Sequence, residues 1–482
     1  MKSSTSACVI AITLLTLALP LQLLAQQTRY KLIDMGTLGG PNSFLSGPGV
    51  ETINNRGTFV GIGNTATPNP NQGCATGFVG SDCFVEQPFV WKNGTVTALP
   101  VLLGGTNAQT DWISSSGLIS GWSENGLIDP MTGLPEAHAV LWPKTEQIID
   151  LGTVSGGSES LATSNNSRGQ VVGFSNNDVL DPSSLAGFPT QTRAFLWQNG
   201  VIQDLGTLGG PDALPNDINE RGQVAGFSYT STMALAPFLW ENGSMIDLGT
   251  LGGSFYAQQG LNNRGQVVGT TYLAGDLIRH GFLWDRGSLL DLGTLGGDNS
   301  EANWISNSGH VVGRADVPGS QSHHAFLWKN GVMTDLGLVA PWPCSTAISV
   351  NSKDQVLIDT GICNVGGGPP GFSEHGQRMV DINTLVLPGS GLQVVETFDI
   401  NDRGEIAALA ALPDGNVHAV VLVPASEAEI AAGSAFPVAK SAPSTKSPVP
   451  STESRQKPSG MPTWRARLAQ RYHIPGIGAP RN

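Results

Sequence analysis

Charged residues and cysteines are scarce in this chain, and amphipathic segments of helix length are absent. Only 13% of the 482 residues are charged, and five are cysteines. Beyond residue 24 no uncharged apolar run is long enough to cross a bilayer, which excludes a later membrane-spanning helix. The lack of helical periodicity excludes a helical solenoid. No Cys-x-x-Cys motif occurs, so the sequence predicts no metal site, and it predicts neither a cofactor site nor a catalytic residue.

Positive charge is especially scarce in the main part of the chain. Residues 1–424 contain 17 Lys and Arg against 35 Asp and Glu, a net charge of −18. Residues 425–482 contain eight against three, a net charge of +5, and the two parts sum to the −13 of the whole chain. An acidic body repels phosphates, so we expect no nucleic-acid partner.

The N-terminal residues predict export from the cytoplasm. Lys2 precedes the apolar run 9–24, and Leu-Leu-Ala at 23–25 is a suitable cleavage site. This arrangement is typical of a secretory signal peptide over 1–25, and a retained signal anchor is the alternative. We therefore predict a secreted protein that is extracellular, at the cell surface or in the periplasm.

Four cysteines remain after the predicted signal peptide, and an even number in a secreted chain indicates disulfides. They are Cys74, Cys83, Cys344 and Cys363, for which three connectivities exist. Pairing of sequence neighbours is favoured, Cys74 with Cys83 and Cys344 with Cys363, because each pair falls in one predicted loop or hairpin. Each bond would contribute about 2–3 kcal/mol by restricting the unfolded chain. A zinc site is the competing interpretation.

Three phrases recur in a fixed order. Asp-Leu-Gly-Thr-Leu-Gly-Gly stands at 204–210, 247–253 and 291–297. An Asn-x-Arg-Gly phrase followed by an apolar run stands at 261–269, and an apolar phrase ending in Trp stands at 325–328. Counting degenerate copies, each phrase occurs eight times, with a period of 43 residues where insertions are absent. Such repetition indicates an array of identical structural units.

One unit comprises four short strands. Asn-x-Arg-Gly supplies the turn between strands one and two, and Asn-Gly supplies the hairpin between strands three and four. This period is that of a β-propeller blade. The chain begins with a lone strand-four phrase, 30–36, and leaves the array after a strand-three phrase, 418–423. We predict an all-β, eight-bladed propeller over 26–424 with four-stranded antiparallel blades, closed by the N-terminal strand because exposed strand edges are avoided.

The third phrase carries a resemblance to a known family. His324-Ala325-Phe326 resembles the His-Ala-Phe signature of HAF-repeat extracellular proteins, with variants at 138–140, 193–195 and 418–420. The resemblance covers about residues 30–424. It implies a secreted bacterial protein, and it assigns no chemistry because no activity is attached to the signature.

Residues that recur once per unit are interpreted as structural. The aspartates at 34, 150, 204, 247, 291, 335 and 381 are predicted turn or capping groups. Register about the hairpin predicts a hydrogen bond from His324 to Asp335. The tryptophans at 91, 142, 197, 240, 284 and 328 are predicted to form a packing ring. Trp112, Trp122 and Trp342 fall outside this pattern and are predicted as exposed ligand contacts.

The connections between strands two and three vary in length and indicate a working face. They span 62–88, 122–139 and 174–194 in units one to three, and they are shorter in units four to six. Long loops on a rigid scaffold commonly bind ligands, and tolerated insertions are the alternative. We name this side the loop face, and the opposite side, which carries the strand one–two turns, the turn face.

These patterns predict a monomeric, non-enzymatic binding module for an extracellular protein or glycan. A polysaccharide-active hydrolase or lyase with its site in the channel is one alternative, and a structural component of the cell envelope is another. Unpaired acids in the channel would favour the enzyme, whereas an exposed aromatic patch on the loop face would favour the binder.

The C-terminal tail, 425–482, differs from the body in composition. It is rich in Pro, Ser and Lys, which predicts disorder. Its segment 464–472 is short, basic and partly amphipathic, so we consider weak contact with an anionic surface, with a solvated tail as the alternative.

Overall fold

The computed structural model describes residues 27–46, 50–69, 84–129, 131, 133–319 and 322–432. The predicted signal peptide, Cys74, Cys83 and the basic segment 464–472 lie outside these residues. The first described strand is β1 (Tyr30–Asp34), and the chain ends its described part in a short helix, α1 (Glu427–Ala432). Within the described residues no helix combines the length and the apolar character that crossing a membrane requires.

Eight antiparallel sheets form an eight-bladed β-propeller, which confirms the predicted fold. Blades one and two contain β2 (Gly39–Phe44), β3 (Thr58–Pro68), β4 (Phe84–Lys92), β5 (Thr95–Ala98), β6 (Ala108–Ile113), β7 (Ile119–Ile128), β8 (Pro135–Lys144) and β9 (Gln147–Asp150). Blades three and four contain β10 (Ser160–Asn165), β11 (Val171–Leu180), β12 (Thr190–Gln198), β13 (Val201–Asp204), β14 (Gly209–Ile218), β15 (Val224–Thr230), β16 (Leu235–Glu241) and β17 (Ser244–Asp247).

The second half of the ring repeats this order, with one addition in blade seven. Blades five and six contain β18 (Gly252–Leu261), β19 (Val267–Leu273), β20 (Arg279–Asp285), β21 (Ser288–Asp291), β22 (Ser300–Ile305), β23 (Val311–Asp316), β24 (His323–Lys329) and β25 (Val332–Asp335). Blades seven and eight contain β26 (Cys344–Val350), β27 (Gln355–Ile362), β28 (Gly366–Gly367), β29 (Gly371–Glu374), β30 (Val380–Asp381), β31 (Gln393–Ile400), β32 (Ile406–Ala411) and β33 (Val417–Pro424). The extra strand, β28, pairs only with β27.

The N-terminal strand closes the ring, as predicted. β1 pairs antiparallel with β33, in a register that runs from Tyr30 opposite Pro424 to Asp34 opposite Val420. The Tyr30 side chain is fully buried, and its ring meets Phe372 of blade seven edge-on at 5.6 Å. The last blade therefore takes three strands from the C-terminal end of the array and one from its start.

The recurring aromatic residues form the cores of the blades. The Phe of each complete Phe-Leu-Trp phrase is fully buried, and the six tryptophans of the predicted packing ring are 0–9% exposed. These values confirm the packing role. Between strands three and four, Asn199 and Gly200 adopt positive φ values of 52° and 84°, the conformation that a tight two-residue hairpin requires.

The recurring aspartates cap the turn that joins one blade to the next. Asp335 accepts a hydrogen bond from the Gly337 N–H at 2.7 Å and one from His324 Nδ1 at 2.9 Å. The His–Asp pairing was predicted from register and is confirmed. The equivalent pair in the last blade, His418 with Asp34, joins β33 to β1 at 2.9 Å and so helps to close the ring.

The asparagine of the Asn-x-Arg-Gly phrase links adjacent blades. In blade four the Asn219 Oδ1 accepts the N–H groups of Arg221 and Gln223, which shapes the turn. Its Nδ2 donates to the carbonyl of Asn262 in blade five at 3.0 Å. Six blades make this inter-blade bond, and the one from Asn401 to the carbonyl of Asn54 spans the closure. In blades two and six the position is serine, Ser114 or Ser306.

Candidate functional site

All eight blades contribute residues to a cavity of about 160 Å³ at the propeller axis. In blades two to eight these residues stand at the ends of the first strands and in the turns that follow, and in blade one they belong to the segment 51–55 before β3, so the cavity lies on the turn face. This is the side opposite the loops that the sequence singles out. The structure thus presents two surfaces to consider, the axial cavity and the loop face.

Two tryptophans from opposite blades approach each other at the axis. Trp112 of blade two and Trp304 of blade six line the cavity, with ring centroids 6.5 Å apart and planes tilted by 38°. Both occupy the position two residues before the turn residue Ser114 or Ser306. At this separation nothing fits between the rings, so they form an apolar floor.

The predicted exposure of two of the three irregular tryptophans is wrong. Trp112 is 5% exposed because it faces the crowded axis, and Trp122 is 3% exposed because it packs between blades two and three with Phe174. Trp342 is partly buried in the connection before blade seven, where its backbone N–H donates to the Val339 carbonyl. The structure does not bring the three side chains together, and only Trp112 lines the cavity.

Two aspartates occupy the same axial position in another pair of opposite blades, four and eight. Asp217 of blade four accepts a hydrogen bond from Ser164 Oγ at 2.9 Å, and Asp399 of blade eight accepts one from Ser349 Oγ at 3.1 Å. Each serine belongs to the preceding blade and holds the same position there. Burial raises the pKa of each aspartate to about 6, although these hydrogen bonds act in the opposite direction.

A third carboxyl group, that of Glu51 in blade one, also lines the cavity. No described group donates a hydrogen bond to it. Its enclosure, followed by the negative charges of Asp399, Asp217, Glu220 and Asp402, raises the pKa of Glu51 well above its ordinary value. The cavity therefore gathers several carboxyl groups, and no positively charged side chain is among its lining residues.

One lining residue departs from an otherwise aliphatic position. Seven blades place Ile, Leu or Val directly before the turn residue, whereas blade three places Asn165 there. Its Nδ2 donates to Ser120 Oγ at 2.7 Å and to the Trp112 carbonyl at 3.4 Å. The residue is only 2% exposed, and its Oδ1 is buried without a hydrogen-bond partner. A buried acceptor left unpaired is costly, which marks this as a place where a donor is missing.

Hydrogen bonds between blades fix the rim of the cavity. The Asp402 N–H donates to Asn55 Oδ1 at 2.8 Å, and Asn55 Nδ2 donates back to Asp402 Oδ2 at 3.1 Å. On the opposite side, the Glu220 N–H donates to Asn263 Oδ1 at 2.9 Å. The rim is consequently built in advance of any ligand.

Four of the lining residues, Glu51, Asp217, Asp399 and Asn165, were not predicted from the sequence. A signal was present at the position two residues before the turn. It is occupied, in blade order, by Thr52, Trp112, Ser164, Asp217, Gly260, Trp304, Ser349 and Asp399. Such variety inside an otherwise uniform repeat indicates that the structure of the blade does not require a particular residue type at this position.

On the loop face, the long connections of blades two and three are extended hairpins. β7 and β11 have ten residues each, whereas β15 and β19 have seven. The added residues carry exposed aliphatic side chains, with Leu127 60% and Leu180 73% exposed. No large aromatic side chain is strongly exposed in the described part of the chain, so the anticipated aromatic patch is not found there.

The hairpin of blade three is held rigidly. Phe188 is 2% exposed and packs in a cluster with Phe174 and with Leu214 of blade four. The Asp212 carboxylate accepts the N–H groups of Leu185 and Thr192 at 2.7 and 2.8 Å. The exposed apolar residues thus project from a fixed support.

The described part of the chain includes one of the two cysteine pairs that the sequence predicts to be disulfide-bonded. Cys344 is bonded to Cys363 across the β26–β27 hairpin, as predicted from the register of that hairpin. His323 lies beside them, with Nδ1 3.5 Å from Cys344 Sγ. The three side chains lie close enough to hold a metal, but the bond between the sulfur atoms removes the thiolates that zinc binding needs. Cys74 and Cys83 lie outside the described residues.

The enclosed acids predict that the propeller is more stable at pH 5 than at pH 8. Burial raises the pKa of Asp359 to about 7, besides the shifts at Asp217 and Asp399. Because the folded chain binds protons that the unfolded chain releases above pH 4, stability decreases as pH rises from about 4 to about 7. Urea unfolding at both pH values measures this slope.

Asp359→Asn should remove part of that dependence. We expect the gain of the variant over the wild type to be about 2–3 kcal/mol larger at pH 8 than at pH 5, because about two pH units separate pH 5 from the Asp359 pKa of about 7 and each unit corresponds to about 1.4 kcal/mol. Asp298→Asn, at an exposed position, is the matched control. Equal stability of the wild type at the two pH values would contradict the assignment.

Comparison with known proteins yields only remote similarity. No family model and no curated protein matches this sequence. The chain is similar to TolB from Acinetobacter baumannii, with 13% identity and a TM-score of 0.34, over 61% of this chain and 74% of that one. It is also similar to a puromycin-hydrolyzing peptidase from Mycobacterium tuberculosis, with 13% identity and a TM-score of 0.40, over 80% and 61%. An ulvan lyase gives 11% identity and a TM-score of 0.34, over 83% and 98%. At such scores none of them carries an argument about function.

Proposed function

We propose that the protein is a secreted, non-enzymatic binding module that holds a protein ligand on the loop face of blades one to three. The observation that carries this proposal is the exposed aliphatic surface at the ends of the two extended hairpins. It includes Leu127 and Ile128 of blade two and Val179 and Leu180 of blade three, which are 49–73% exposed. Contiguous apolar surface on a soluble protein usually marks an interaction site.

The neighbouring connection between blades one and two adds to this surface. Leu103 is 98% exposed, and Gly104 lies against Gly126, directly before Leu127. Aliphatic side chains suit a protein partner, whereas a glycan would be expected to stack on exposed aromatic rings. We name the set Leu103, Leu127, Ile128, Val179 and Leu180 the apolar hairpin surface.

The Cys344–Cys363 bond supports the secreted location. Disulfides persist in oxidising compartments and are rare in the cytosol. Together with the predicted signal peptide, this bond favours an extracellular or periplasmic site of action, where the ligand is to be sought.

The proposal is tested by replacing apolar side chains on the loop face. The immobilised mature protein is incubated with extracellular and envelope proteins of the source bacterium, and the bound proteins are identified. We expect the double variant Leu127→Lys/Leu180→Lys to lose at least about tenfold of the capture of a specific partner, because two buried apolar contacts are worth a few kcal/mol. Its melting temperature should not change, since both side chains are exposed.

Leu277→Lys is the matched control. Leu277 is 88% exposed on the strand two–three connection of blade five, so the substitution adds charge to the same face but outside the apolar hairpin surface. A partner captured equally by wild type, double variant and control would contradict the proposal.

A second candidate function, a polysaccharide-active hydrolase or lyase acting in the channel, is favoured by one observation. The axial cavity holds enclosed carboxyl groups with raised pKa values, as catalytic acids commonly do. Its test is the incubation of the purified protein with a panel of polysaccharides. If the wild type releases reducing or unsaturated ends and Asp217→Asn and Asp399→Asn do not, the enzymatic function replaces the proposed binding function. If no product is released, the binding function is retained.

A further inference from the structure

We propose that the axial cavity on the turn face is a binding site for primary alkylammonium ions, such as a small diamine or a lysine side chain. This site is independent of the apolar hairpin surface, which lies on the opposite face. Four features of the cavity carry the inference: its charge, an unpaired acceptor, the spacing of its acids and its aromatic floor.

The charge of the lining has a single sign. Glu51, Asp217, Glu220, Asp399 and Asp402 line the cavity, and no lysine, arginine or histidine is among the lining residues. The hydroxyls of Ser164 and Ser349 orient the two axial aspartates but cannot neutralise them. Charge buried without a partner is expensive, so enclosed carboxyl groups either take up protons or remain ionised beside a cation, and a bound cation would hold them ionised.

The unpaired acceptor is independent of the acids. Asn165 lines the same cavity, and its Oδ1 is buried and has no hydrogen-bond donor. In the seven other blades an aliphatic side chain fills this position, so blade three places an amide oxygen where packing does not require one. An ammonium group offers three N–H donors and can satisfy this oxygen together with a carboxylate.

The spacing of the acids favours an organic cation over a metal ion. A calcium or magnesium ion draws its oxygen ligands to 2.0–2.6 Å, which places those oxygens within a few ångströms of one another. Among the His, Cys, Asp and Glu side chains of the described residues, the only group of three or more with that closeness is His323, Cys344 and Cys363. The cavity acids are too widely spaced to enclose a bare ion without rearrangement, whereas an alkylammonium ion can reach one or two of them.

The aromatic floor suits an alkyl chain. Trp112 and Trp304 both line the cavity, and an indole ring attracts both a cation and the methylene groups attached to it. Because Asp217 and Asp399 come from opposite blades, a diamine can place one ammonium group near each. A lysine side chain of another protein would use one of them.

Isothermal titration of the intact mature protein at pH 7.5 and low salt tests the site. The probes are 1,5-diaminopentane, Nα-acetyl-lysine amide and calcium chloride. We expect at least one amine to bind with a dissociation constant below about 1 mM. Tighter binding of the diamine identifies a free polyamine as the natural ligand, and tighter binding of the lysine amide identifies a protein side chain.

Variants assign the binding to the cavity. Asp217→Asn and Asp399→Asn should each weaken amine binding about tenfold or more, because each removes a charge-assisted hydrogen bond. Asn165→Ile, which installs the residue type of the other blades, should weaken it several-fold. Glu146→Gln, at an exposed hairpin turn on the outer part of the same face, is the control and should have no effect. Melting curves identify any variant that fails to fold, and the remaining variants then decide the test.

Three outcomes would overturn the proposal. These are the absence of binding by either amine, amine binding that all three cavity variants leave unchanged, and calcium binding that is tighter than amine binding and lost in the same variants. Since Leu127→Lys/Leu180→Lys should leave amine binding intact, failure here is distinguishable from failure of the proposed function.

Discussion

A chain that begins at Thr37, and therefore lacks β1, is expected to unfold at least about 10 °C below the intact propeller. β1 contributes the fully buried Tyr30 and the nearly buried Leu32 to the last blade, together with a complete antiparallel ladder to β33. The loss of two large apolar side chains and several backbone hydrogen bonds amounts to about 5–10 kcal/mol. It also exposes the edge of β33 and leaves the His418 side chain without Asp34.

Thermal unfolding followed by circular dichroism measures this effect, and a synthetic peptide of residues 28–36 should restore most of the lost stability.

Two point variants distinguish the contribution of Tyr30 side-chain packing from that of the β1–β33 pairing. Tyr30→Ala should cost about 3–5 kcal/mol, as aromatic truncations in cores do. Tyr30→Phe should be close to neutral, because the Tyr30 hydroxyl is buried without a hydrogen-bond partner. An unchanged melting temperature after removal of β1 would disprove closure by this strand.

Asn401→Ala is expected to destabilise the propeller by about 3–4 kcal/mol. Asn401 is 5% exposed, and its amide makes four hydrogen bonds. Its Oδ1 accepts the Arg403 and Glu405 N–H groups, and its Nδ2 donates to Glu405 Oε2 and to the Asn54 carbonyl across the closure. Alanine would leave these buried groups without a hydrogen-bond partner, and each unpaired group costs about 1 kcal/mol or more. Urea unfolding gives the loss directly.

The chain supplies its own control for this prediction. Blades two and six carry serine at the same position, where Ser114 Oγ accepts the Leu118 N–H within its own turn at 3.0 Å. Asn401→Ser should therefore keep part of the turn and lose the two bonds that Nδ2 donates, to the Asn54 carbonyl and to Glu405 Oε2, at roughly half the cost of alanine. Ser306→Asn should have the opposite sign and stabilise the ring. Equal losses for Asn401→Ser and Asn401→Ala would assign the whole effect to the bonds that Asn401 Nδ2 donates, whereas an unchanged stability of Asn401→Ser would assign it to the turn.

The fold was predictable because repetition makes each local signal visible eight times. Asn-Gly hairpins, the buried Phe-Leu-Trp strands and the unmatched strand at 30–36 together determine blade, blade number and closure. The His324–Asp335 bond followed from hairpin register alone. The disulfide Cys344–Cys363 was predictable for the same reason, since both residues lie on one hairpin whose turn is recognisable.

The axial cavity was not predictable, because it depends on an irregularity in the first strand of most blades. The register between β10 and β11 shifts between Ala162 and Ser164, and equivalent shifts precede Asp217 and Asp399. Each shift inserts one residue and turns the following side chain onto the other face of the strand. A simple alternation of inward and outward side chains along the strand therefore assigns Asp217 and Trp112 to the wrong face. In addition, the distance between side chains of opposite blades is determined only when the ring has closed.

The pairing of β1 with β33 also sets the order in which this protein can be completed during synthesis. The strand that leaves the ribosome first, Tyr30–Asp34, has its partner almost at the other end of the array, at Val420–Pro424. Nearly four hundred residues must be made before the two can meet, and bringing such distant segments together carries a large entropic cost. The first strand to be synthesised is thus the last to be paired, and until then its apolar residues depend on the surroundings of the nascent chain for protection.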